Sequence, residues 1–407
     1  MKSLKIIGGN HLSGDVIIDG AKNSALPIIA ASLLCEESVL SNIPNITDVL
    51  KMLDILKIIG CEYKIENKKV VINSSGLKSN VLDNSLISDI RGSYYLMGVL
   101  INIFDSLTIN YPGGCKIGDR PINFHLDGFK QLGIEVKEEE NQIQISKKEI
   151  LGGKITLPKS SVGATINLIF ASVKCKGVTV IENASIEPEV EDVISFLNLM
   201  GAKISWIDNK VVEIRGVTKL NNVEFKIKPD RIEAGTYAVI GALFGEVRLF
   251  NVNIHDMRST LNVLEELGCE ISYNDNILKV KRKELKKVDI VTNPYPGFPT
   301  DLQQPFTVVL TQVGGSVTDN IFNNRFSNCL EINKMNGDIA ISDDSIRIKP
   351  TKLKGTKVKA NNLRGGMSLV LAGLIAEGET TVENIEIIER GYPNFINKLL
   401  KLGAKII

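Results

Sequence analysis

One short pattern recurs six times along the chain: an apolar helical run that ends in glycine and passes into alternating strand residues. It reads LKIIGCEY, FKQLGIEV, LNLMGAKI, LEELGCEI, INKMNGDI and LLKLGAKI, and the glycines Gly60, Gly133, Gly201, Gly268, Gly337 and Gly403 stand 66 to 73 residues apart. Glycine just past a helix is a common left-handed terminator, so each copy is expected to hold a helix closed by that residue. Around it the order is a small-residue-rich helix, a strand, a loop, the glycine-closed helix and a strand or hairpin. The first copy reads ALPIIAASLLC, SVLSNIP, DVLKMLDILKIIG, CEYKI and KKVVI. Repeated βαβ-type units make an α/β protein, and six of them in 407 residues divide into two domains of three.

The last copy stops after GAKII, with no partner strand like residues 69–72 of the first copy. At the other end, residues 4–7 and 15–18 have strand character but no unit before them. An N-terminal segment that completes the sixth unit satisfies both. The expected domains are therefore residues 21–228, and residues 1–20 together with 229–407.

Composition excludes several classes of function. Forty-eight Lys and Arg nearly cancel 47 Asp and Glu, leaving a net charge of +1, so bulk charge does not hold the chain to nucleic acid or to an anionic membrane. Apolar stretches such as residues 25–35 fall short of the roughly 18 residues of a membrane span. The start, MKSLKIIGGNHLSG, lacks the apolar core of a signal peptide, and a cytoplasmic protein is expected. The six cysteines are scattered without CxxC spacing, and His11, His125 and His255 lie far in sequence from any of them. Neither a metal site nor a Cys/His protease pair has support. No cofactor is expected, and nothing requires more than a monomer.

The polar residues that could carry chemistry fall at repeated addresses. Lys22, Arg91, Ser161, Arg231, Asp301 and Arg364 each stand 36 to 42 positions before their own glycine, at the expected start of the first helix. Helix N-termini attract anions, yet starts such as those at Lys22, Arg91 and Arg364 carry a cation where helix stability alone favours Asp or Glu. Arg120 and Arg390 each lie 13 residues before their glycine, just ahead of a second helix. Five cations at two repeated addresses suggest an anion-binding surface. Asp301, the single carboxylate of the series, is a candidate general base. Copy two carries an insertion, YPGGCKIGDRP, where Cys115 follows two glycines and has Lys116 and Arg120 close behind. Nearby positive charge lowers a thiol's pKa, so Cys115 is a candidate acid or nucleophile, whereas the other five cysteines read as small core hydrophobes.

These residues match a known family. DGAKNSALPIIAASLL (19–34), IRGSYYLMG (90–98), YPGGCKIGDRPINFHLDGF (111–129), SVGAT (161–165), IENASIEPEVED (181–192), PDRIEAGT (229–236), PYPGFPTDLQQP (294–305) and ERGY (389–392) resemble, in order and over the whole chain, the enolpyruvyl transferases that act on UDP-N-acetylglucosamine. The resemblance implies an inverse α/β barrel-like fold of two domains, with the active site in the cleft between them. It implies transfer of the enolpyruvyl group of phosphoenolpyruvate to the sugar 3-hydroxyl, by addition and then loss of phosphate, as the first committed step of peptidoglycan precursor synthesis. Cys115 would be the acid and the target of fosfomycin, and Asp301 the base. Lys22, Asn23, Arg120, Arg364 and Arg390 would hold phosphoenolpyruvate. Arg91, Arg120, Pro121, Ile122, Asn123, Phe124, Lys159, Ser160, Ser161, Val162, Gly163, Asp301 and Ile321 would contact the sugar nucleotide.

Two positions depart from the family pattern: Asn362 and Asn123 stand where aspartate is usual. The first motivates an alternative, a slow or non-catalytic sugar-nucleotide-binding paralogue. A shikimate enolpyruvyl transferase, which shares the six-unit fold, is disfavoured by the Pro-Gly-Gly-Cys loop and the Lys22-Asn23 pair.

Overall fold

The computed structural model describes residues 2–113 and 122–407. They form six four-stranded sheets, one for each repeat, and two compact units: residues 2–19 with 229–407, and residues 20–113 with 122–228.

Within a repeat, the hairpin folds back so that its second strand lies in the sheet interior. In the first repeat Lys69–Asn73 pairs antiparallel with Glu37–Ser41 on one side and with Glu62–Glu66 on the other. A leading strand then adds in parallel, as Gly153–Thr156 does to Val178–Glu182 in the third repeat, with the helix Val162–Ser172 as the crossover. Each sheet is open. The parallel leading strand forms one edge and the first hairpin strand the other, and the two edges do not pair, so nothing closes the sheet.

The chain ends fill places that the repeats leave vacant. Ser3–Ile7 pairs antiparallel with Glu379–Glu383 and with Lys405–Ile406, which is the interior hairpin position that the sixth repeat lacks. The first and fourth repeats exchange leading strands. Ser13–Ile17, which precedes the first repeat's helix, pairs in parallel with Glu246–Phe250 of the fourth. Val223–Lys226, which precedes the fourth repeat's helix, pairs in parallel with Glu37–Ser41 of the first.

The two helices of a repeat differ in kind. The first helices are apolar all round and enclosed: every residue of Val162–Ser172 but the first is buried, and so is every residue of Leu363–Ile375 but the last. Close approach needs small residues. A Cβ on Gly98 would come within 2.2 Å of the Asn167 carbonyl oxygen, and the Gly98 N–H instead donates to Asn167 Oδ1 at 2.7 Å. The second helices, such as Thr47–Ile58, bury one face and expose the other. Their closing glycines take positive φ in five repeats, at Gly60, Gly133, Gly201, Gly268 and Gly403. In the fifth repeat that conformation belongs to Asn336, not Gly337, because asparagine also tolerates the left-handed region. The sequence marker there sits one residue late.

An ionic cluster ties the N-terminal segment into its unit. Lys398 Nζ donates to Asp19 Oδ2 at 2.7 Å and to Glu233 Oε1, while Glu233 Oε2 accepts the Asp19 backbone N–H at 2.8 Å. Burial, reinforced by the Asp19 charge and opposed by Lys398, pushes Glu233 up to about 7. The folded state thus holds that proton more tightly than the unfolded chain, so the contribution is complete below about pH 4.5 and is lost as pH rises through about 7. Thermal melts from pH 5 to 8 should show stability falling, and Glu233→Gln should flatten that dependence; an unchanged slope in the variant would exclude Glu233 as its source.

Candidate active site

Asp301 lies in the short 3-10 turn Thr300–Leu302 that leads into the helix Gln303–Val313. Two arginines from other segments of the same unit hold its carboxylate. Arg325 Nη2 donates to Oδ1 at 2.5 Å, while Arg364 donates to Oδ2 through Nε at 3.2 Å and Nη2 at 3.1 Å. Both guanidinium side chains are almost wholly enclosed, at 2% and 4% exposure, whereas the carboxylate keeps 26%. Burial pushes the Asp301 pKa up, but the two guanidinium charges outweigh it and hold the carboxyl well below the usual carboxylate range. Arg364 also lies over the Tyr392 ring at 5.1 Å, and Tyr392 Oη meets Thr236 Oγ1 at 3.0 Å. One nitrogen of each buried guanidinium group, Arg325 Nε and Arg364 Nη1, has no hydrogen-bond partner. Buried N–H groups left open in this way suit an incoming anion.

Arg364 is aimed by its helix, which is capped at the N-terminus by Asn362. Asn362 Oδ1 accepts the Gly365 N–H at 2.7 Å, and Nδ2 donates to Ser327 Oγ at 3.3 Å. Asparagine caps a helix as well as aspartate does, so this departure from the family pattern keeps the geometry that presents Arg364. Asn123 is the exposed first residue of the helix Asn123–Gln131.

In the other unit, Lys22 opens the helix Lys22–Ala31 and pairs with the nearly buried Asp48, Nζ to Oδ2 at 2.7 Å, leaving 14% of its side chain exposed. Asn23 beside it is exposed. Arg91 lies over the Tyr94 ring at 5.7 Å, and Tyr94 packs edge-on against His125. Burial, with Arg91 adding to it, pushes His125 down to about 3, so the ring is neutral, and Nδ1 meets Asn167 Nδ2 at 3.0 Å. Gly163, in the first turn of Val162–Ser172, packs against both rings, and Ser161 caps that helix by accepting the Ala164 N–H. Lys159 is exposed and Ser160 half-buried just before it, and Ile122 and Phe124 begin the neighbouring helix. Ile321 and Arg390 belong to the unit of Asp301, Arg390 at the end of the 3-10 turn Ile385–Arg390. Cys115, Arg120 and Pro121, with Lys116 and Asp119, lie outside the described residues.

The structure thus joins Asp301 to Arg364, and gathers Arg91 and Gly163 around Tyr94. Arg325 was missed by the sequence reading. It stands 12 residues before Gly337, close to the address of Arg120 and Arg390, and that near-coincidence is the signal that could have found it.

A family model described as EPSP synthase (3-phosphoshikimate 1-carboxyvinyltransferase) matches residues 6–399. The chain belongs to the enolpyruvyl transferase family. The UDP-N-acetylglucosamine 1-carboxyvinyltransferase of Halothermothrix orenii is 43% identical, covering 100% of this chain and 99% of that protein. UDP-N-acetylglucosamine 1-carboxyvinyltransferase 2 of Listeria monocytogenes is also 43% identical, over 99% of this chain and 97% of its own length. Among solved structures, the enolpyruvyl transferase NikO from Streptomyces tendae superposes with a TM-score of 0.91 at 22% identity, covering 100% of this chain and 98% of that one. The EPSP synthase of Acinetobacter baumannii gives 0.74 at 17% identity, covering 100% of both chains. These two show the shared fold.

The described cysteines of this enolpyruvyl transferase are Cys35, Cys61, Cys175, Cys269 and Cys329, and all are buried. Burial raises the Cys35 and Cys329 thiols and pushes Cys61 up to about 12 and Cys269 up to about 11. They should be inert in the folded protein. Alkylation at pH 7.5 followed by peptide mass analysis should leave all five unmodified until denaturant is added, and native labelling of any of them would contradict this assignment.

Proposed function

We propose that the protein transfers the enolpyruvyl group of phosphoenolpyruvate to the 3-hydroxyl of UDP-N-acetylglucosamine, releasing phosphate, in the cytoplasm and at the entry to peptidoglycan precursor synthesis. The relatives that match the whole chain bear that activity in their names. The observation that carries the reading is the Asp301 carboxylate held by two buried arginines, of which Arg325 Nε and Arg364 Nη1 lack a hydrogen-bond partner. A base for the sugar hydroxyl and receptors for an anionic substrate then stand within one cluster.

In the proposed reaction, Asp301 takes the proton of the attacking hydroxyl while Cys115 protonates the methylene carbon of phosphoenolpyruvate. The new C–O bond gives a tetrahedral intermediate, which then loses phosphate and a methyl proton to restore the double bond. Lys22, Asn23, Arg120, Arg364 and Arg390 hold phosphoenolpyruvate. Arg91, residues 120–124, residues 159–163 and Ile321 hold the sugar nucleotide. Residues of both domains, 21–228 and 1–20 with 229–407, serve the one reaction.

With its guanidinium partners fully engaged, Asp301 is a weak base. An anionic substrate that takes up the open N–H groups of Arg325 and Arg364 shares their charge and raises the carboxylate's basicity, so the base strengthens as substrate binds. The alternative of a non-catalytic paralogue, which rested on Asn362, is not favoured: whole-chain relatives bear the activity in their names, and the asparagine still caps the helix that presents Arg364.

Phosphate release should require both substrates, and release from phosphoenolpyruvate alone, or none with both, would overturn the assignment. Asp301→Asn should lower kcat by about 10²- to 10⁴-fold without loss of fold. The acid limb of kcat should lie at higher pH than that of kcat/KM for phosphoenolpyruvate, because the first reports the loaded enzyme and the second the free one. Fosfomycin should label Cys115, and Asn362→Asp should leave kcat within about threefold.

A further inference from the structure

Asp319, at the end of the strand Gly315–Asp319, is 1% exposed and lies two contacts from Asp301. Four donors converge on its carboxylate. Oδ1 accepts from Thr292 Oγ1 at 2.8 Å, from the Ile321 N–H at 2.9 Å and from the Phe322 N–H at 3.2 Å. Oδ2 accepts from Thr300 Oγ1 at 2.6 Å. The Thr300 hydroxyl has spent its proton on Asp319, so it faces Arg325 as an acceptor, and Arg325 Nη1 donates to it at 2.6 Å. Arg325 then delivers Nη2 to Asp301. On its other side the guanidinium lies over the Phe322 ring at 5.2 Å, and the Phe322 backbone is itself pinned by Asp319.

We propose that Asp319 is a positioning residue for the transfer reaction: through the Thr300 hydroxyl and the Phe322 turn it fixes the Arg325 guanidinium that holds Asp301. The argument is one of directions. A hydroxyl has a single proton, and an acceptor with no N–H of its own fixes where that proton goes. The chain from Asp319 through Thr300 to Arg325 therefore has one polarity, and each member is buried or half-buried where no solvent molecule is needed to complete it. A planar guanidinium gripped on Nη1 and across its face has little freedom left in how it presents Nη2. The same carboxylate fixes the turn that bears Ile321, so one buried group sets both the Asp301 partner and that backbone. The proposal rests on the reading of Asp301 as the base.

The test compares steady-state kinetics of Thr300→Val, Thr300→Ser, Asp319→Asn and the Thr300→Val/Asp319→Asn double variant with the parent and with Asp301→Asn, each checked for fold by thermal melting. Thr300→Val keeps the shape and removes the hydroxyl. It should lower kcat about 10- to 100-fold with KM for both substrates within about threefold, since misplacing a catalytic group acts on the bound complex. Thr300→Ser, which restores the hydroxyl, should recover most of that loss. Asp319→Asn puts an N–H where four donors converge and should fall into the same range. The double variant should be no worse than the weaker single, because both act through one contact. Parental kcat in Thr300→Val, or losses that multiply in the double variant, would overturn the positioning role while an inactive Asp301→Asn left the base assignment standing. Retained turnover in Asp301→Asn would overturn both. If Asp319→Asn does not fold, the contrast between valine and serine at position 300 decides alone.

Discussion

A helix that is apolar on every side has to be surrounded, and each three-repeat unit is the answer to that constraint. In one unit Tyr95–Leu100 packs against both Lys22–Ala31 and Val162–Ser172, and in the other Gln303–Val313 packs against both Arg231–Phe244 and Leu363–Ile375. No repeat can bury its own first helix with one open sheet and one amphipathic helix. Enclosing such helices also fixes where polar chemistry can appear. Their middles are sealed, so charged side chains gather at the N-terminal turns, where the N–H groups already favour anions.

The Asp301 cluster uses that arrangement. Asp301, Arg364 and the cap Asn362 all stand at helix starts, and Arg325 comes from the turn before a second helix. A carboxylate enclosed alone would be driven to protonate, and an arginine enclosed alone would carry an uncompensated charge. Bringing two guanidinium groups to one carboxylate keeps all three ionised while leaving donor capacity over. A group held this firmly is well placed but weakly basic. Any anion to which those N–H groups donate becomes part of the base's own environment.

Much of this was legible in the chain. The repeated distance from helix start to closing glycine located Lys22, Arg91, Ser161, Arg231, Asp301 and Arg364, and each lies at the cap or in the first turn of its helix or 3-10 segment. The shortage of a strand after residue 405 was legible too, because a hairpin needs two strands. What was not legible depends on pairings that local pattern does not encode. The exchange of leading strands joins residue 15 to 248 and residue 39 to 224, and nothing in either segment's alternation names its partner. Arg325 and Asp319 escaped notice because their significance lies in a hydroxyl between them, and Asn336 because an asparagine was doing a glycine's work.

The exchanged strands bear on how the molecule is made. While it emerges from the ribosome, the first repeat's sheet lacks its outer parallel member until residues 223–226 have been synthesised. The second strand, Ser13–Ile17, waits for residues 246–250, and the first, Ser3–Ile7, for residues near 380 and 405. Residues 3–7 are therefore among the last to pair. Leu4, Ile6 and Val16, which end buried in the core, lie on strands that gain all their sheet partners only once those later residues exist, so this segment is sewn in late.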